Sequence, residues 1–188
     1  QDAAAALAAT LMGDLNTKSV IDLCAAPGGK TAQLVAAGAS VTAIDSSRKR
    51  IDRLRRNLKR LALEAKIVLG DGRTYQPDHP VDHVLLDAPC SATGTVRRRP
   101  DILARRTPED ISELQAMQWE LTTAALGWLK PGGTLIYATC SLQPEEGEQI
   151  IAAVLEAAEG RFVLDPVSPA EAGDFAASIT AEGTLRII

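Results

Sequence analysis

Nowhere in these 188 residues does an apolar run approach the roughly 20 residues that a membrane-crossing helix needs, and the opening lacks the basic and apolar segments of a secretion signal. The expectation is a soluble, cytoplasmic protein without a membrane partner. Cysteine is scarce: Cys24, Cys90 and Cys140 are far apart and odd in number, which fits neither a disulfide framework nor the close pairs of a structural zinc site. Free thiols are expected. The two histidines, His79 and His83, lie beside Asp78 and Asp82, but neighbouring strand residues point to opposite faces and no third ligand follows, so no metal is expected. Aromatic residues make up only 3% of the chain, which leaves few side chains on which a base could stack. Tyr137 is one candidate and equally a candidate core residue. The dinucleotide fingerprint G-x-G-x-x-G is missing, so a dehydrogenase has no direct support.

What is present is unevenly distributed. Residues 1–106 hold 17 Lys and Arg against 11 Asp and Glu, a net +6, whereas residues 107–188 hold 3 against 13, a net −10. The overall −4 therefore conceals a basic half. Arg48, Lys49, Arg50, Arg53, Arg55, Arg56, Lys59 and Arg60 are opposed only by Asp52, and a second group comprises Arg97, Arg98, Arg99, Arg105 and Arg106. Such clusters attract phosphates, although a solvated helix face explains the first nearly as well.

Apolar runs of strand length alternate with longer helical patterns, the arrangement of a doubly wound α/β domain with a mostly parallel sheet. Strands are predicted at 19–23, 41–45, 66–70, 81–87 and 134–139, and helices at 31–37, 47–63, 108–129 and 144–159, with an alanine-rich helix at the start. Thr107 can cap the third of these helices, Pro108 suits its first position, and Glu109 and Asp110 favour its positive end. Lys130-Pro131-Gly132-Gly133 is expected to end that helix and turn the chain into the fifth strand. Ligands bind such sheets at the carboxyl ends of the strands, near the point where the strand order reverses. Asp22, Cys24, Asp45, Asp71, Asp87 and Cys140 all fall at or just past predicted strand ends.

The first strand leads into Cys24-Ala25-Ala26-Pro27-Gly28-Gly29-Lys30-Thr31, small residues that let backbone amides approach a ligand before a helix begins. A Walker A loop would need glycine where Cys24 stands, so the phosphate cradle is incomplete even though Val84-Leu85-Leu86-Asp87 could pass for a Walker B strand. A nucleoside without a pyrophosphate fits better. Asp45 stands about 20 residues after the loop, where a carboxylate accepts from ribose hydroxyls, and Asp71 could meet an adenine amino group. Each also has an ordinary reading as a strand-ending turn former.

Two thiols converge on the same edge, in Asp87-Ala88-Pro89-Cys90-Ser91 and Ala138-Thr139-Cys140-Ser141. Cytosine C5 becomes a nucleophile only after a soft nucleophile adds at C6. Thiolate is suited to that addition, and a second thiol could assist it or the later loss of the C5 proton. Residue chemistry alone leaves open which cysteine does which.

The motifs 22–31 (DLCAAPGGKT), 70–73 (GDGR), 86–94 (LDAPCSATG) and 137–141 (YATCS) with Pro144-Glu145-Glu146 resemble the Sun/Fmu family of RNA cytosine-5 methyltransferases. The likeness extends from Gln1 to Ile151, and the stretch from Cys90 to Ile102 is similar to members that act on 16S ribosomal RNA. The resemblance implies a class I, Rossmann-like methyltransferase domain that takes S-adenosylmethionine and leaves S-adenosylhomocysteine. It implies that Cys24, Ala25, Ala26, Pro27, Gly28, Gly29, Lys30, Asp45, Asp71 and Asp87 bind the cofactor. It selects Cys140 as nucleophile and Cys90 as the residue that aids product release, whereas a Pro-Cys nucleophile, as in the DNA enzymes, would be Cys90. Arg97, Arg98 and Arg99, just after the Pro-Cys motif, are the expected contacts to RNA, with ribosomal RNA as the partner. The chain starts at Gln1 without methionine and is read as one monomeric catalytic domain, residues 1–188, of a longer protein with an RNA-binding domain ahead of it. The rival readings are a P-loop-like ATPase and a non-catalytic RNA-binding module on the same fold.

Overall fold

The computed structural model describes residues 3–187; Gln1, Asp2 and Ile188 lie outside the described residues. Five strands form one sheet, β1 (Ser19–Leu23), β2 (Ser40–Asp45), β3 (Lys66–Leu69), β4 (Val81–Asp87) and β5 (Leu129–Ala138), in the order β3-β2-β1-β4-β5. All four pairings are parallel. The order reverses between β1 and β4, so the crevice available to a ligand opens at their carboxyl ends.

Alternation along the strands supplies both faces of the sheet. Ile21, Leu23, Ile44, Val84 and Leu86 pack with Leu121, Ala125 and Trp128, which α5 (Pro108–Leu126) and its end bring down onto one face. Val20, Val41 and Leu85 point the other way, onto Ala8, Ala9 and Met12 from α1 (Ala3–Thr10) and its end and Leu34 from α2 (Gly29–Ala36). The alanine-rich opening is therefore the predicted covering helix. In α3 (Arg48–Leu61), Ile51, Leu54 and Leu58 are buried at helical spacing while the basic residues between them face outward. Ser47 caps α3 by accepting from Arg50 N, and Thr107 with Asp110 forms a reciprocal capping box at the start of α5.

Two predicted boundaries need correction. Helix α5 ends at Leu126, not 129, and β5 begins at Leu129 instead of 134. Leu129 already pairs with Val81, and the ladder resumes only at His83 with Thr134, so residues 130–133 bulge out between two paired stretches. Gly132 there has φ +76°, and Gly133 passes so close to β4 that a Cβ would sit 2.8 Å from the Asp82 carbonyl oxygen. Lys130 Nζ meets Asp82 Oδ1 at 2.8 Å, and Asp82 Oδ2 accepts from Ser19 N and Oγ, which fastens the bulge to β1 across β4. The predicted helix at 144–159 is also divided, into a 3-10 turn at Pro144–Glu146 and α6 (Glu148–Ala157). The periodic pattern was one; the chain breaks it to aim Glu146 inward, as described below.

The short α4 (Ile102–Arg105) and α7 (Pro169–Ala172) carry no long apolar pattern and were not predicted. Replacing Gly133 by alanine should lower unfolding free energy by about 1–3 kcal/mol, because the new methyl meets backbone that cannot swing aside. Chemical denaturation of the two proteins measures it, and equal stability would contradict the close approach of bulge and strand.

Candidate active site

The loop after β1 is built by its conformation more than by its glycines. Cys24 (φ +62°) and Gly28 (φ +96°) adopt left-handed backbone, and the Ala26-Pro27 peptide is cis. A Cβ on Gly28 would stand 3.1 Å from the Leu54 side chain of α3. Three loop amides are already used: Ala25 N donates to Ile44 O at 3.0 Å, Gly28 N to Ala25 O at 2.8 Å, and Ala26 N to Asp45 Oδ2 at 3.2 Å. The loop carbonyls are gripped from α3, with Arg50 Nη2 on Ala26 O at 2.5 Å and Asn57 Nδ2 on Pro27 O at 2.8 Å. Sequence reasoning counted Arg50 only as one charge in a basic cluster; nothing in its spacing marked it as a loop anchor, and Asn57 went unnoticed.

The four strand-end carboxylates take different roles. Asp22 is fully buried beneath the loop and accepts from Thr31 Oγ1 at 2.5 Å; burial raises its pKa to about 7 against the opposing pull of that hydrogen bond. Asp45, 2% exposed, accepts from Ala26 N and Ser47 N and lies 3.2 Å from Arg50 Nη2. Asp71 is clasped by Arg73, whose Nη2 approaches to 2.6 Å, and this pairing holds its carboxyl below the usual range. Arg73 reaches on to Glu120 at 2.9 Å. Asp87 is bonded to Lys30 Nζ at 2.8 Å.

Between these groups lies a cleft lined by Leu23, Ile44, Asp45, Gly72, Met117 and Leu121, among others, with Pro89 on its rim. Apolar walls for a flat ring and a carboxylate at the end of β2 suit the hydrophobic and hydrogen-bonding parts of an adenosine. A triphosphate fits badly. The loop amides at 25, 26 and 28 are occupied, Lys30 is neutralised by Asp87, and Arg50 is spent on carbonyls and Asp45. The residues present therefore fit S-adenosylmethionine better than the phosphates of a nucleotide.

The two motif cysteines do meet. β4 and β5 stay paired to their ends, Asp87 opposite Ala138, and the turns that follow place Cys90 Sγ 3.4 Å from Cys140 Sγ. Cys140 is exposed and Cys90 half-buried. The Cys140 thiol, together with the Thr139 hydroxyl and the Ala92 and Cys140 amides, stabilises a Cys90 thiolate and lowers its pKa to about 6. The same thiolate, with burial, pushes Cys140 well up. One proton is thus held between two sulfurs. Cys24 stands apart: burial raises its thiol to about 12, consistent with a loop residue that contributes backbone.

Arg97, Arg98 and Arg99 follow a 3-10 turn at Thr93–Thr95 and are all exposed, close in sequence to the thiols. Arg106, counted in the same basic group and also exposed, reaches back and donates from Nε to Ser91 O at 3.2 Å. Tyr137 packs against the sheet core and donates its hydroxyl to Glu146 O at 2.7 Å, which makes it a structural residue and not a stacking platform.

Residues 9–182 match the family described as 16S rRNA methyltransferase RsmB/F. Among curated proteins, the chain is 49% identical over 161 residues to a ribosomal RNA small subunit methyltransferase B of Enterobacter sp. (strain 638) and 48% identical to one of Yersinia pseudotuberculosis. Each alignment covers 83% of this chain but only 38% of the relative, so the chain spans well under half the length of the proteins it matches. Among solved structures, it is similar to NSun6 from Pyrococcus horikoshii with SFG, at TM-score 0.78 and 31% identity over 88% of this chain and 45% of that one. A methyltransferase homolog protein from Pyrococcus horikoshii aligns at TM-score 0.69 and 33% identity, over 81% and 50% of the two chains. The all-parallel sheet and these neighbours give the fold as class I, Rossmann-like.

The thiol pair makes a direct prediction about pH. Thiolate absorbance should rise with pH around 6 in the unaltered protein, because Cys90 ionises there. In Cys140→Ala the sulfur donor is gone, so the midpoint should move up toward the ordinary thiol value, and ultraviolet titration of the two proteins reads the difference. A midpoint that stays at 6 would mean that the second sulfur contributes nothing.

Proposed function

The chain belongs to the RsmB/F family of 16S rRNA methyltransferases, and from that membership we propose that it transfers a methyl group from S-adenosylmethionine to C5 of a cytosine in RNA, with ribosomal RNA of the small subunit as the substrate class. The observation that supports this reading most is the 3.4 Å approach of two sulfurs after the ends of β4 and β5, one of them next to Pro89, which lines the cleft. S-adenosylmethionine supplies a sulfonium-activated methyl group, so no metal is required. The loop 24–30, Asp45, Asp71 and Asp87 would hold it, Asp87 being bonded to Lys30.

Cys140 is the nucleophile in this reading. It is the exposed member of the pair, and its sulfur adds to C6 of the ring while its proton passes toward Cys90. Electron density from that new bond reaches C5, which takes the methyl group. Once Cys90 has passed that first proton to solvent, its thiolate takes the C5 proton, the electrons of that bond re-form the C5–C6 double bond, and the carbon–sulfur bond breaks to return the Cys140 thiolate. Arg97, Arg98 and Arg99 give the RNA backbone positive charge to approach.

Labelled methyl donor and a cytosine-containing small-subunit RNA, incubated with the full-length protein, test the assignment. Cys140→Ala should lower 5-methylcytosine formation on the order of a thousandfold or more. Cys90→Ala should slow the first addition, because its proton acceptor is gone, but slow the release step further, and so accumulate a protein–RNA adduct on a denaturing gel. Undiminished methylation by the Cys140 variant would remove that residue from its role, and no adduct with the Cys90 variant would remove the release assignment. Calorimetry separates the ATPase reading: S-adenosylhomocysteine should bind at least about tenfold tighter than ATP.

A further inference from the structure

Glu146 is completely buried, and nothing in the reaction above uses it. A carboxyl side chain in a core is costly unless its oxygens are matched by donors. Here the donors come from the segment that carries Cys90. Oε1 accepts from Ser91 N at 2.8 Å and from Gln118 Nε2 at 3.1 Å, and Oε2 accepts from Ser91 Oγ. Gln118, itself buried, donates also to Pro89 O at 2.8 Å, so the peptides on both sides of Cys90 are held. Ser91 Oγ lies 3.1 Å from Ser141 Oγ, and Gly94 N donates to Cys140 O at 2.9 Å, which ties the second cysteine's turn to the same group.

We propose that Glu146 is a positioning residue, which through Ser91 and Gln118 fixes the Cys90 sulfur at hydrogen-bonding distance from Cys140. The inference rests on reading those thiols as the reacting groups. Only an acceptor with two oxygens satisfies three donors from two directions. Glutamine keeps the shape but turns an NH2 group toward one of them, which loosens the Cys90 turn while leaving Leu23, Ile44 and Asp45 of the cleft, which lie on other strands, untouched.

The test measures sulfur proximity in the full-length protein, without RNA or methyl donor. Diamide oxidises two neighbouring thiols to a disulfide, taking both protons and two electrons into its N=N bond, and mass spectrometry follows the Cys90–Cys140 peptide. In Glu146→Gln this crosslink should form about tenfold more slowly than in the parent, with S-adenosylhomocysteine affinity within about twofold and kcat for methylation, not KM for the donor, reduced. An unchanged crosslinking rate overturns the proposal. If Glu146→Gln fails to fold, Ser91→Ala, which removes one contact, must slow the crosslink as well; an unchanged rate there overturns it equally. Because the crosslink needs no catalysis, a parent protein that never methylates RNA defeats the function proposed above without touching this result.

Discussion

The parallel pairing of β4 with β5, maintained up to Asp87 and Ala138, is the constraint from which the rest of the site follows. Parallel neighbours send their exits to the same edge of the sheet, so two turns 50 residues apart in sequence begin side by side. The backbone continues the ladder one step past the strands, with Ala88 N on Ala138 O at 2.8 Å. From that step the chain needs only two or three residues on each side to bring sulfur to sulfur. A slip of one register position would send the side chains to the opposite face and separate them. The Lys130–Asp82–Ser19 network at the other end of the same strands resists such a slip.

At the reversal of strand order the economy of charge is equally tight. Lys30, Arg50 and Arg73 each have a carboxylate partner among Asp87, Asp45 and Asp71. A loop that ends in Gly-Lys-Thr looks like a phosphate cradle on paper, yet its lysine is bonded to Asp87 and its amides at 25, 26 and 28 to the loop and to β2. What lines the cleft beside these pairs is largely apolar wall, from Leu23, Ile44, Met117 and Leu121. Further basic residues lie exposed on the outer face of α3 and after the Pro-Cys turn, where long-range attraction for a polyanion operates.

Much of this was legible in the residues. The alternation of strand and helix patterns gave all five strands, and Thr107-Pro108 marked the start of α5 to the residue. The positions of Cys90 and Cys140 at strand ends followed from the same pattern, because a parallel sheet gathers its carboxyl ends. The bulge at 130–133 was not legible, since Pro-Gly-Gly reads as a turn and only the tertiary pairing of Leu129 with Val81 makes it an interruption within a strand. Nor was the bond from Arg106 to Ser91 O, because composition records a charge but not the direction of a side chain. Glu146 sat in a helical pattern with acidic neighbours, Glu145 and Glu148, and by spacing alone would be a solvated residue. Its burial depends on a break in the helix that local propensity does not specify.

The division of labour between the sulfurs has a physical basis in the proposed scheme. Cys90 receives hydrogen bonds from Thr139, two amides and the Cys140 thiol, and a thiolate so surrounded is stable and correspondingly weak as a nucleophile. Cys140 lacks that cage, is the more exposed, and once deprotonated is the more basic and more nucleophilic sulfur. Its difficulty is losing the proton, and the nearest acceptor is Cys90. An uphill transfer between the two is offset as the carbon–sulfur bond forms and draws charge into the ring. A pair of equivalent thiols would have no such polarity. The asymmetry arises because the Ala92 amide, after β4, and the Thr139 hydroxyl, after β5, bear on the Cys90 sulfur, in a turn held from behind by a buried carboxylate.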